Sequence, residues 1–165
     1  MIATFIGHRK IQASQEFFCR LKKFIFCIAN DMNVDTFLFG SKSNFNDLCL
    51  QAVTEIKRTK NDIQRIYVRA EYPNISTEYE KYLLTVYDAT YMPQNLLNAG
   101  KASYVKRNRH MIEKSDICIF YYCDTLVYQQ TSTNIFSRQI KSGTQIAYEY
   151  AKKLNKIVLN TACLT

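Results

Sequence analysis

The end of the first apolar segment is the first place where this sequence could do chemistry. Residues 2–6 are typical of a buried strand, which ends at Gly7 and is followed at once by His8 and Arg9. Glycine permits a sharp turn or the close approach of another group, and a guanidinium beside backbone amides can bind a phosphate. The alternative is an ordinary polar turn in which local hydrogen bonds satisfy His8.

A second junction of this kind follows the strand predicted over 34–39. After Gly40 come small hydrogen-bonding side chains and the first turn of a helix, which add the candidates Ser41, Ser43, Asn44 and Asp47. The further glycines of the known phosphate-binding loops are missing. At least one of Ser43, Asn44 and Asn46 must cap the helix. Asp47 either interacts with the helix dipole alone or accepts hydrogen bonds from ribose hydroxyls or a base.

A predicted helix over 102–114 carries two further guanidinium groups. Arg107 and Arg109 could bind phosphate, while Asn108 falls on the apolar side of the helix, where its amide needs a buried partner. A helix stabilised by surface ion pairs would explain the same residues.

The clearest anion-binding pattern opens the last predicted helix, over 143–154. Ser142 and Thr144 supply hydroxyl groups, and Gly143 permits close approach at the positive end of that helix. Glu149, about two turns further on, is the candidate catalytic residue, as a general base or a group that orients a sugar, although such a glutamate is commonly solvated. The cysteines and histidines lack metal-ligand spacing, so no metal site is predicted.

Strand and helix patterns alternate along the chain and predict an α/β fold. The strands are expected over 2–6, 34–39, 63–70, 116–121 and 157–160, and the helices over 14–31, 45–59, 102–114 and 143–154, the first capped near Ser14. This alternation favours a Rossmann-like three-layer sandwich with a mostly parallel sheet of about five strands. The 165 residues fit one domain, 1–165. The junctions would then lie along one edge of the sheet.

Two segments interrupt this regularity. Residues 71–101 contain many tyrosines and both prolines, and are predicted to form an insertion, a short helix plus an ordered loop over the crevice. Their rings could stack on a base, pack internally or form a dimer surface. Residues 122–141 have no clear period and are predicted to form a hairpin or a loop.

The composition limits the environment and the partners of the protein. The net charge of +8 suits nucleotides, nucleic acid or no specific partner, because the basic residues are spread along the chain. Most of the six cysteines replace apolar residues and are predicted to be reduced core thiols, which indicates a reducing compartment. Without a leader-like segment or a bilayer-length apolar run, the expectation is a soluble cytoplasmic protein with no membrane partner.

The junction motifs resemble those of the SLOG superfamily, the Rossmann-like group that unites DprA-type DNA-binding proteins with the "lonely guy" phosphoribohydrolases. The chain is most similar to the YpsA-like branch of uncharacterised bacterial proteins. The matching stretches span nearly the whole chain: residues 4–9, 37–40 with 44–45, 106–116, and 142–144 with 148–153.

The resemblance implies a nucleotide or nucleotide-derived ligand at the crevice, with no further cofactor required, and it makes a homodimer unsurprising. The hydrolase members use a Gly-Gly-x-Gly-Thr-x-x-Glu motif together with a helical arginine. Here the glycines before Gly143 are absent, and Glu149 follows Thr144 by five positions rather than three. The hydrolase glutamate therefore has no counterpart at the matching position.

Three functions are open at this point. The first is a module that senses or sequesters a nucleotide-like ligand, since the junctions offer donors and cations without a clear nucleophile and base. The second is an N-glycosidase acting on a nucleoside phosphate or dinucleotide, with Glu149 as base or oxocarbenium stabiliser. The third is single-stranded nucleic-acid binding, for which no continuous basic stripe is visible.

Overall fold

The computed structural model describes residues 1–40, 42–71, 73–123 and 141–164, which contain one six-stranded parallel sheet. The strands are β1 (Ile2–Gly7), β2 (Thr36–Phe39), β3 (Gln64–Val68), β4 (Ala89–Tyr91), β5 (Ile117–Tyr121) and β6 (Ile157–Asn160). Their order is β4-β3-β2-β1-β5-β6, and every neighbouring pair is parallel. The strand order therefore reverses between β1 and β5, as in Rossmann-like folds.

Five helices within the described residues cover the sheet. They are α1 (Gln15–Asp31), α2 (Asn44–Lys57), α3 (Thr77–Val86), α4 (Ser103–Lys114) and α5 (Gly143–Lys153). All except α4 start after a serine whose side chain accepts a hydrogen bond from the N–H three residues later; these are Ser14, Ser43, Ser76 and Ser142. The cap predicted at Ser14 is confirmed. None of these helices has the length and apolarity needed to cross a bilayer.

The helices form one layer on each face of the sheet. Helices α1 to α3 pack on the first face, against a core that includes Phe5, Phe37 and Phe39. Helices α4 and α5 pack on the second face, where Ile6 and Phe120 are buried. Successive side chains of β1 point to opposite faces, which places Phe5 in one core and Ile6 in the other. The predicted three-layer α/β fold with a parallel sheet is confirmed.

The prediction for 71–101 is correct for the helix, but it missed a strand. After α3 the chain enters β4, which pairs with β3 and gives the sheet a sixth strand instead of a loop. Asp88 anchors this strand, because its carboxylate accepts hydrogen bonds from the backbone N–H (2.8 Å) and the guanidinium (3.1 Å) of Arg65. A strand of three residues is too short for apolar alternation to reveal it.

Some predictions fall on residues outside the described parts of the chain. Of the predicted loop or hairpin over 122–141, residues 124–140 lie outside. The same is true of the candidate ligand residue Ser41 and of Tyr72 in the tyrosine-rich segment.

The prediction that most cysteines are core thiols is wrong. Only Cys49 and Cys118 are buried, whereas Cys19, Cys27 and Cys163 are exposed. Cys19 and Cys27 lie on α1 but are not among its buried residues. The helical spacing of the sequence did not separate the exposed side of α1, which carries these cysteines, from the side that faces the core. No disulfide bond joins any of the cysteines in the described parts of the chain.

Candidate functional site

His8 joins the carboxyl ends of β1 and β5. Its Nε2 atom accepts a hydrogen bond from the backbone N–H of Cys123 (3.2 Å), and its ring stacks on Tyr122 with centroids 5.8 Å apart. The backbone N–H of His8 donates to the carbonyl of Tyr121 (3.3 Å). His8 therefore links the two strand ends at the point where the strand order reverses.

Asn44, the first residue of α2, ties that helix to the loop after β1. Its side-chain oxygen accepts a hydrogen bond from the N–H of Ile11 (3.0 Å), and its amide donates to the Ile11 carbonyl (2.6 Å). Its own backbone N–H donates to the carbonyl of Arg9 (3.3 Å). The structure thus brings the first and second predicted junctions together and uses the Asn44 side chain to position them.

A cleft of about 590 Å³ opens beside these two junctions and extends to the end of β3. Its cations are Arg9, Lys10 and Lys42, and its aromatic lining consists of Tyr67, Tyr79, Tyr82 and Tyr87. Four predicted site residues line it: Arg9, Ser43, Asn44 and Asp47. We call this cavity the first cavity.

The first cavity has more basic than acidic side chains in its lining. Within the described residues, neither Arg9 nor Lys10 has a carboxylate within 4.0 Å, and both side chains are exposed. Asp47 is the acidic residue of the lining, and partial burial raises the pKa of its carboxyl group. The cavity therefore offers two cations that have no carboxylate partner among the described residues, and one carboxylate that could accept hydrogen bonds.

Tyr67 and Tyr87 are two of the four tyrosines that line the first cavity. Their rings stack with centroids 5.0 Å apart, and Tyr67 is almost fully buried. Burial raises the pKa of Tyr67 to about 12, with a smaller contribution from Glu71, and burial also raises the pKa of Tyr87. Both hydroxyls therefore stay protonated near neutral pH and can donate hydrogen bonds.

A second cavity, of about 520 Å³, adjoins the first, and Lys42 and Tyr79 line both. Glu71 and Tyr104 belong to the second cavity alone. The Tyr104 hydroxyl donates to Glu71 Oε1 (3.3 Å), and Lys42 Nζ lies 3.7 Å from the same oxygen. The second cavity therefore combines the ring of Tyr104 with an ion pair between Lys42 and Glu71.

Arg107 is the buried cation beneath these cavities. Its side chain is 3% exposed and donates to the carbonyl of Gly40 and to Asn108 Oδ1 (3.1 Å), while its guanidinium lies 5.4 Å from the centre of the Tyr104 ring. Burial lowers its pKa. The sequence prediction placed Asn108 on the buried side of α4, but Asn108 is only half-buried and Arg107 is the buried residue.

At two of the candidate glycines, a Cβ atom would lie unusually close to neighbouring side chains. A Cβ atom at Gly7 would lie 2.7 Å from Cγ of Phe45, with Cδ1 nearer still. A Cβ atom at Gly40 would lie 2.7 Å from Sδ of Met111 and 2.8 Å from Nε of Arg107. The close approach that these glycines permit is therefore made by the protein's own side chains.

The remaining predicted residues belong to α4 and α5 on the second face. Arg109 lies over the ring of Tyr150, 5.1 Å from its centre, and Glu149 accepts hydrogen bonds from Lys141 (2.6 Å) and Gln145 (3.3 Å). Ser142 caps α5, Thr144 is buried, and no atom lies within 4 Å of a Cβ built on Gly143. None of these five predicted residues lines either cavity.

A third, smaller cavity of about 290 Å³ lies between α1 and α2, away from the strand ends. Its lining includes Lys22, Phe26 and Glu55, and Lys22 and Glu55 are paired there at 2.8 Å. Because this cavity lies away from the strand ends and no predicted site residue lines it, the strand-end cavities are the better candidates.

Sequence reasoning missed Lys10, Lys42, Tyr67 and Tyr104 as lining residues. Lys10 and Lys42 each stand next to a predicted site residue, so widening each junction by one position would have found them. Tyr67 belongs to a strand and Tyr104 to a helix, and neither pattern shows that its ring reaches the crevice.

The fold and these cavities define a Rossmann-like α/β protein with its candidate site at the carboxyl ends of parallel strands. Comparison of the chain with models of protein families and with curated proteins found no match.

Proposed function

We propose that this protein binds a nucleotide or nucleotide-derived small molecule in the first cavity, as a sensor or sequestering protein. The observation that supports this most strongly is the combination of exposed cations with tyrosine rings in one cleft. A nucleotide carries an anionic phosphate and an aromatic base, and so has both complementary parts. The volume of about 590 Å³ suits a ligand of this size.

The arrangement of the lining suggests how such a ligand would lie. Phosphate would face Arg9 and Lys10, whose charges have no carboxylate partner in the described residues. The base would stack on the exposed ring of Tyr82, since base–aromatic stacking is tolerant of base identity. Asp47 would accept hydrogen bonds from ribose hydroxyls or from the base.

The proposal is tested by isothermal titration calorimetry with AMP, GMP, NAD⁺ and ADP-ribose. Arg9→Ala should weaken binding of the phosphate by roughly 1.5 kcal/mol, about tenfold in Kd, since a charge-assisted hydrogen bond is lost. Arg58→Ala removes the same charged side chain from an exposed position at the other end of α2, and should leave the Kd unchanged. If both variants lose the same affinity, the loss comes from the change in net charge alone, and the proposal is contradicted.

The two alternative functions give different results in the same samples. An N-glycosidase would release free base, detected by chromatography, and Glu149→Gln would abolish the release. A single-stranded nucleic-acid binder would bind an oligonucleotide with an affinity that rises with length and falls steeply with salt. The binding proposal expects neither behaviour.

A further inference from the structure

The two strand-end cavities share a wall, and their sizes are similar. We propose that they act as one groove for a ligand made of two nucleoside units joined through phosphate, that is, a dinucleotide. This inference rests on the proposed function and extends it, because a mononucleotide would fill only the cavity of about 590 Å³ and leave that of about 520 Å³ empty.

Each cavity presents one exposed tyrosine ring to a ligand. Tyr82, which lines only the first cavity, is 61% exposed, and Tyr104, which lines only the second, is 50% exposed. Exposed rings of this kind are platforms on which bases stack. Two rings in two adjoining cavities therefore give two stacking positions, one for each base.

The Tyr104 ring is held in place for this role. Its hydroxyl donates to Glu71 (3.3 Å), and the buried guanidinium of Arg107 lies against the ring, 5.4 Å from its centre. The carbonyl of Gly40 in turn holds Arg107. An immobilised ring loses little conformational freedom when a base stacks on it.

A cation lies where the two units would be joined. Lys42 lines both cavities, its side chain is 73% exposed, and its only described ion pair is a 3.7 Å contact with Glu71. An ammonium group that is this exposed, and whose described ion pair is as long as 3.7 Å, can turn toward a bridging phosphate. The boundary between the two cavities therefore suits the negatively charged phosphate linkage. The parts of the cavities that carry Tyr82 and Tyr104 suit the two bases.

The experiment compares one-unit and two-unit probes by calorimetry. AMP is the one-unit probe, and NAD⁺ and 3′,5′-linked diadenosine monophosphate are the two-unit probes, with a pyrophosphate and a phosphodiester bridge respectively. At least one two-unit probe is expected to bind about tenfold or more tightly than AMP, because a second base stacks. The better of the two identifies the bridge.

Variants of the two rings assign the second unit to its cavity. Tyr104→Ala should remove the advantage of the two-unit probe and leave the Kd of AMP within twofold of its original value. Tyr104→Phe keeps the ring and should keep the advantage, while Tyr82→Ala should weaken all probes. Tyr150→Ala truncates the same type of side chain on the second face and serves as the control.

The results that would overturn the inference differ from failure of the proposed function. If AMP binds as tightly as both two-unit probes, or if Tyr104→Ala leaves the advantage intact, the two-unit groove is wrong and nucleotide binding stands. If no probe binds, both proposals fail. If hexa-adenylate binds far more tightly than diadenosine monophosphate, the groove belongs to a nucleic-acid binder and the dinucleotide inference is wrong.

Discussion

Replacement of Gly7 by alanine is expected to destabilise the protein through its contact with Phe45. The new Cβ atom would lie 2.7 Å from Cγ of the Phe45 ring, closer than real Cβ atoms come to neighbouring atoms. Phe45 is fully buried, and its ring packs against Tyr121 with centroids 5.7 Å apart. The ring cannot turn away without disturbing the core between α2 and the sheet.

The magnitude is the difference between two effects. Gly7 does not have a positive φ, so alanine reduces the entropy of the unfolded chain and contributes roughly 0.5 kcal/mol of stability. Overpacking a buried ring costs about 1–3 kcal/mol, and the short contact favours the upper end of that range. The net loss of about 2.5 kcal/mol corresponds to a decrease in Tm of roughly 5–10 °C for a domain of this size.

Urea and thermal unfolding followed by circular dichroism measure this loss. Gly143→Ala is the matched control, because no atom lies within 4 Å of its new Cβ and the residue opens α5. Its Tm should be unchanged or slightly higher. Adding Phe45→Leu to the Gly7→Ala protein should recover part of the lost stability. A Gly7→Ala protein as stable as the original would refute the assignment of Gly7 to packing.

Two further substitutions test the anchors of the fold and of the cleft. Burial alone would raise the pKa of Asp88, but hydrogen bonds from Arg65 and Lys57 lower it below its usual range. Asp88→Asn should therefore lower the free energy of unfolding by about 3 kcal/mol at pH 7. This loss should shrink as the pH falls below about 4, because the ion pair stabilises only the ionised carboxylate. A loss that does not depend on pH, measured by urea unfolding, would contradict this. Asn44→Ala should cost about 1 kcal/mol through the lost bonds to Ile11. It should also weaken nucleotide binding, since the loop carrying the cations is released; unchanged Kd values would show that the loop holds its position without Asn44.

The strand and helix pattern could be predicted from sequence wherever apolar residues recur over several turns or several strand residues. The first helix illustrates this, because Phe17, Leu21, Ile25 and Ile28 are all buried and Ser14 caps the helix as expected. The strand over 157–160 was predicted with its observed bounds. The strand β4 was missed because three residues cannot show a period, and because a carboxylate contact from Asp88 rather than apolar alternation fixes it.

The candidate site was only partly predictable, for a reason that the glycines make clear. A glycine at a strand end indicates that something approaches closely, but not what it is. At Gly7 and Gly40 the approaching groups are side chains of α2 and α4. The pattern around Arg107 likewise indicated a functional helix without showing that its guanidinium is buried against a backbone carbonyl. Tertiary contacts between distant segments decide both outcomes.

The position of the cleft follows from how the chain fills the carboxyl edge of the sheet. In open parallel sheets ligands usually bind where the strand order reverses, here between β1 and β5. In the described part of the chain, His8 bridges those two strand ends through Cys123 and Tyr122. The two cavities lie further along the edge, where α3 supplies tyrosine rings beside the ends of β2 and β3. The segment that adds a sixth strand therefore also supplies Tyr79, Tyr82 and Tyr87 to the candidate site, and the first two junctions supply its cations.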